Sequence, residues 1–148
     1  MITESIRSLY NRDLNKLKAE IEAYQNEENL WKTDKNIANS AGNLVLHLVG
    51  NLNHFIGTHL GNSGYVRQRD LEFSLKDIPR AELIEKIEAT TAMIDSVFAQ
   101  LSEEDLKKEY PLVVFERAMT TDYFLIHLVA HLDYHLGQIN YHRRLLDI

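Results

Sequence analysis

The residues best suited to chemistry in this 148-residue chain are its seven histidines, four of which fall within residues 120–146 (TTDYFLIHLVAHLDYHLGQINYHRRLL). His131 and His135 close the segment HLDYH. Side chains four apart project from one side of a helix, so these two imidazoles can hold one divalent ion. A third ligand must then come from another element. Residues 36–60 (NIANSAGNLVLHLVGNLNHFIGTHL) place Ser40, His47, Asn51, His54 and Thr58 along one edge of a helical projection. His47 and His54 are two turns apart, and spacing alone does not separate them as the third ligand. Three imidazoles and a water make an ordinary site for zinc, nickel or another borderline ion, with one position open. An ion there acidifies a water or a thiol, or polarises a carbonyl.

The elements that must carry these residues are helices. Residues 120–146 contain no proline, and Leu125, Leu128, Val129, Leu132, Leu136 and Ile139 form one stripe at about 100° per residue. His131, His135, Gln138 and His142 fall on its flank, while His127 and Asp133 lie further toward solvent. Thr120 or Thr121 is the expected N-cap, with Asp122 in the first turn and Arg143 and Arg144 in the last, where charges of those signs suit the helix dipole. In residues 36–60 the buried arc is Ile37, Ala41, Leu44, Val45, Leu48, Val49, Leu52, Phe55 and Ile56. Gly42, Gly50 and Gly57 interrupt it. A glycine inside a helix costs about 1 kcal/mol relative to alanine, which makes sense where another group packs closely.

The remaining segments read as scaffold. Residues 3–25 form a first helix with Ile6, Leu9, Tyr10, Leu14, Leu17, Ile21 and Tyr24 inward. Trp31, in a polar connection, is expected to anchor packing. Residues 61–75 break the period, and Tyr65, Arg67, Arg69, Asp70 and Glu72 either line a site, lie at a subunit contact or form a self-paired, solvated cluster. Asp77 is the expected N-cap of a third helix, with Pro79 in its first turn and Leu83, Ile87, Thr90, Ile94, Val97, Phe98 and Leu101 inward. Residues 110–115 are extended but too short for a sheet. The sum is an all-α chain, a four-helix bundle in a single domain over residues 1–148. Sites in such bundles form between facing helices.

Composition narrows the function. Hydrophobic residues make up 45% and charged residues 26%, an ordinary globular balance, and no apolar run would span a bilayer. The first residues, MITESIRSLYNRD, lack the apolar block of a signal peptide, so a cytoplasmic location is expected. The net charge of -6 argues against nucleic-acid binding, which needs a basic face. With no cysteine, the chain has no disulfide, thiolate zinc ligand or thiol nucleophile of its own.

These residues together carry a resemblance. LVLHLVGNLNHF in the second helix and HLDYHLGQI in the last, above all His135-Leu136-Gly137-Gln138-Ile139, resemble the DinB/YfiT-like superfamily, a group associated with metal-dependent chemistry. The likeness spans nearly the whole chain. It implies an up-down-down-up bundle with the long connection after the second helix, frequent homodimers, and a metal held by one histidine of the second helix and an HxxxH pair of the last. Matched residue by residue, the metal ligands are His47, His131 and His135, so the resemblance prefers His47 over His54. Asn51, His54 and Gln138 then support the ligands from outside.

Activities among relatives include transfers that use low-molecular-weight thiols. The expected function is a metal-dependent enzyme of the thiol S-transferase type acting on a small molecule, with zinc or nickel as cofactor and a homodimeric state. The alternatives are a metal-dependent hydrolase and a non-catalytic dimeric bundle that binds a partner or serves under stress.

Overall fold

A computed structural model describes residues 1–148. The chain is all-α and has no β-strand; α1 is Ile2–Ala23, α2 Ala41–Leu52, α3 Arg69–Ser74, α4 Arg80–Gln100, α5 Glu103–Lys107 and α6 Thr121–Leu146. A 3-10 turn, Glu27–Trp31, precedes α2, and a π-helical turn, Asn53–Thr58, continues it. No helix is long and apolar enough to cross a membrane.

Helices α1 and α2 both pack against α4 and α6, and α3 lies on α2. One cluster of 28 buried apolar residues joins them. It includes Leu125, Leu128, Leu132, Leu136 and Ile139 of α6, and Leu83, Ile87, Ile94 and Phe98 of α4. Burial of this kind yields about 25 cal/mol per Å² and outweighs local propensity. Two tyrosines fix the rotation of α6 about its axis. Tyr10 donates to the Leu125 carbonyl at 2.6 Å, and the Tyr24 hydroxyl meets His142 Nδ1 at 2.7 Å. With α6 held so, its histidine-bearing flank faces α2.

Several local expectations need correction. The second helix starts at Ala41 rather than residue 36, because the Ser40 hydroxyl accepts from Asn43 N at 3.2 Å and caps it. Ser40 is thus a cap and not part of the histidine edge. Ile37 stays outside the helix, in a bridge with Asp34. Helix α2 is also buried on nearly every side, since α3 folds back over the edge read as polar. Asp77 has φ 59° and caps nothing; α4 begins after Pro79. Aspartate tolerates that left-handed conformation, which ends the preceding segment. Thr120 flanks α6 without capping a backbone N–H; its hydroxyl bonds to Asp122 instead. Leu9 is exposed, at the margin of the α1 stripe. Trp31 does anchor packing: its ring lies against Gly42, where a Cβ would come within 2.6 Å of it.

Candidate metal centre

The site is built on α2 and α6. Asn43, one turn inside the α2 N-terminus, donates through Nδ2 to the carbonyls of Glu72 (2.9 Å) and Leu75 (2.8 Å). Those bonds fasten α3 along α2 and bring the Glu72 side chain beside His47. Gly50 makes room for it. A Cβ at Gly50 would lie 1.9 Å from Glu72 Oε2, so no other residue fits without moving the carboxylate.

Glu72 is buried and anionic. Burial alone would raise its pKa, but hydrogen bonds from His47 and Arg67 more than offset that and hold it below the usual value. Arg67 donates from Nε to Oε2 at 2.8 Å and from Nη2 to Oε1 at 2.9 Å. His47 Nδ1 lies 3.1 Å from Oε1. A carboxylate only accepts, so His47 carries its proton on Nδ1 and turns the lone pair of Nε2 away from Glu72. On α6, His135 Nδ1 lies 2.7 Å from Gln138 Oε1. That acceptor fixes the same tautomer and again leaves Nε2 free to ligate.

The three Nε2 atoms converge. His131 Nε2 is 3.2 Å from that of His47 and 3.1 Å from that of His135. Ligand nitrogens at 2.0–2.1 Å from a tetrahedral ion are about 3.3 Å apart, so the spacing suits one ion. Converging lone pairs repel one another unless a proton or a cation lies between them. The neutral state of His131 and His135 is favoured by their surroundings. Burial, then His135, His47, His127 and Arg67, push His131 down to about 4. Burial lowers His135 as well, against an opposing hydrogen bond from Gln138 and with help from His47. Neutral imidazole is the form that ligates a metal. His131 Nδ1 and Asn51 Oδ1 are buried without a hydrogen-bond partner. The donor set therefore fits a borderline divalent ion, and His47, His131 and His135 lie close enough to hold one. No fourth histidine, cysteine or carboxylate joins the group. A cavity of about 370 Å³ opens one turn away, between residues 36–39, Leu44 of α2 and Gln138, Tyr141 and His142 of α6; it meets the site through Gln138, and none of the three histidines lines it.

The structure separates the sequence candidates. His47, His131 and His135 come together, and Gln138 supports His135. Asn51 is buried one turn beyond His47, with its oxygen unpaired. His54 is not one of the converging ligands: seven residues beyond His47, it is about 10 Å along the axis, and its ring packs on Phe55 and His59, with Arg67 and Glu72 near enough to act on its charge. His127 lies against Phe115 and Phe124, less open to solvent than expected. His142 bridges Tyr24 and the Lys32 carbonyl and serves packing.

The sequence pattern does not single out Glu72 from the rest of its charged loop. The signal that marks it is Gly50, a helix-interior glycine four residues from Leu46 and three from His47, on the side that α3 covers. Arg67 and Glu72 turn out to be both self-paired and part of the site.

The sequence profile of a family described as "Protein of unknown function (DUF1572)" matches residues 3–147. No curated protein matches the chain.

Proposed function

The chain belongs to the DUF1572 family, and from that premise and the site's geometry we propose that it is a metal-dependent enzyme. The observation that carries the reading is the convergence of three Nε2 atoms whose outer nitrogens, on His47 and His135, are held by Glu72 and Gln138. Histidines that ligate metals commonly donate their other N–H to such partners. The ligands in this reading are His47, His131 and His135, with zinc or nickel as the ion. Helices α1, α2, α4 and α6 are read as an up-down-down-up four-helix bundle of the DinB/YfiT-like kind, one domain over residues 1–148.

A bound divalent ion would supply Lewis acidity and lower the pKa of a thiol or water that it binds. The chain's own residues do the rest. Glu72 keeps the His47 lone pair aimed inward, Arg67 keeps Glu72 ionised, and Gln138 orients His135. The cavity beside Gln138 accommodates a small molecule. Since the chain has no cysteine, any thiol in the reaction enters as a cosubstrate. The reaction class proposed is therefore thiol S-transfer with a low-molecular-weight thiol, in a cytoplasmic homodimer. The acidic net charge supports a small-molecule substrate over nucleic acid.

The test is elemental analysis of protein purified without affinity tag or chelator, beside His47→Ala and His131→Ala. Near-stoichiometric metal in the parent and its loss in both variants is the expected result, followed by a screen of thiols against electrophiles. A parent that holds no metal and takes up neither zinc, nickel nor manganese would overturn the reading and leave a non-catalytic bundle.

A further inference from the structure

The solvent face of α6 carries an apolar stripe that nothing in the chain covers. Tyr123, Ile126, Tyr134, Tyr141 and Leu145 are 53%, 49%, 65%, 62% and 57% exposed. With Ala130 and Gly137 they recur every three or four residues, the period of one helix face, on the side opposite Leu125, Leu128, Leu132 and Leu136. The stripe runs about 33 Å from Tyr123 to Leu145 at ~1.5 Å per residue. At ~200 Å² for a large side chain, those exposures sum to roughly 600 Å². A standard interface buries about 800 Å² per partner, and residues flanking the stripe supply the remainder.

Two observations select the occupant. The first is Gly137, in the middle of α6. A Cβ built there meets nothing within 4 Å, so packing inside the chain gives no reason for a residue that weakens the helix. Gly42 and Gly50, by contrast, each make room for a neighbouring side chain. A second helix laid close across α6 supplies the missing reason, with Ala130 and Gly137 forming hollows on either side of Tyr134. The second observation is charge. At about 100° per residue, Asp122 and Arg144 fall on the same flank of the stripe, at opposite ends of α6. An antiparallel two-fold pairing about Tyr134 sets each Asp122 beside Arg144 of the other copy and Tyr123 against Leu145, two opposite-charge pairs against the one like-charge approach of the exposed Asp133 residues near the axis. A parallel pairing sets the two flanks on opposite sides and brings no opposite charges together.

We propose that α6 pairs antiparallel with α6 of a second copy, through the stripe centred on Tyr134. This deepens the homodimer of the proposed function and rests on it. The pairing has a consequence for the metal centre. His131, His135 and Gln138 occupy the flank opposite Asp122 and Arg144. The Tyr134 ring lies 5.2 Å from that of His135, and Gln138 Nε2 reaches the Tyr134 hydroxyl at 3.4 Å. The second copy therefore borders the rim of the three-histidine site and narrows its access.

Sedimentation equilibrium of the full chain tests the pairing, with far-UV circular dichroism to confirm folding. The parent is expected to be a dimer. Tyr134→Glu places two like charges face to face, and should weaken association about thirty-fold or more, as for a central interface aromatic. Leu145→Glu is the second probe should Tyr134→Glu fail to fold. Orientation is read from Asp122→Arg, which should weaken the dimer, and from Asp122→Arg with Arg144→Asp, which should restore it. A parent that is monomeric throughout overturns both the homodimer and this interface. A dimer indifferent to Tyr134→Glu and Leu145→Glu leaves the homodimer standing and overturns the α6 face. Loss without rescue by the double reversal overturns the antiparallel order.

Discussion

Replacing Glu72 by glutamine separates a residue that tunes the metal centre from one that merely packs. The carboxylate accepts one hydrogen bond from His47 and two from Arg67. Glutamine keeps the shape but offers one oxygen, and its amide nitrogen must face a donor. Two losses follow. On the ligand side, His47 loses a charge-assisted hydrogen bond, worth about 1.5–3 kcal/mol. That agrees with the 10–100-fold loss of metal affinity, about 1.4–2.8 kcal/mol, typical when such a supporting partner is removed. On the folding side, Arg67 loses its counter-charge. Breaking a buried pair costs about 3–5 kcal/mol; the Arg67 side chain is 12% exposed, and its access to water brings the figure toward about 2–3 kcal/mol. The assay is zinc competition against a chelating dye, beside thermal melting of the metal-free protein. Lower zinc affinity together with a lower Tm is expected. A folded Glu72→Gln protein with unchanged zinc affinity and a lowered Tm would refute the tuning role and leave Glu72 as packing.

Gly50→Ala should reverse the usual sign of its class. Alanine favours a helix by about 1 kcal/mol over glycine, yet a Cβ here meets Glu72 Oε2 at 1.9 Å, so both zinc affinity and Tm should fall. Leu132→Ala, at a fully buried core position next to His131, should cost about 2–5 kcal/mol in urea unfolding, with the m-value unchanged. His142 gives a pH dependence. Burial holds its folded pKa below the ordinary value, despite an opposing hydrogen bond to the Lys32 carbonyl and the nearby Asp147, while in the unfolded chain it titrates near ~6.5. Between those values the unfolded chain binds more protons. Its contribution to stability is therefore complete above about pH 6.5 and lost as pH falls through the folded value. The Tm of metal-free parent should drop more between neutral and mildly acidic pH than that of His142→Gln; equal drops would remove His142 as a cause.

The sequence by itself determined that the chain is helical, and which faces of its long helices are inward. That information is local: the apolar period of about 3.6 residues is written into Leu125 to Ile139 and into Leu83 to Phe98, and burial follows it. It also placed His131 and His135 on one side, because four residues on a helix fix that geometry whatever surrounds it. Helix ends were less legible. Ser40 outcompeted residue 36 as a cap, and Asp77 took a left-handed conformation instead of capping, since both outcomes depend on where the neighbouring chain goes.

Only the tertiary structure decided which second-helix histidine completes the group by geometry. His47 and His54 share an edge in projection, and distance along the axis counts only once α6 is docked at a given height. Tyr10 and Tyr24 set that docking through bonds spanning 115 and 118 residues of sequence. The part played by Glu72 was likewise a matter of tertiary structure. It lies 25 residues from His47 and reaches it because Asn43 fastens α3 to α2 and Gly50 leaves the space. A lone acid in a charged loop has no pattern to mark it. What made it part of the centre is the burial that forces its charge to find both a guanidinium and an imidazole.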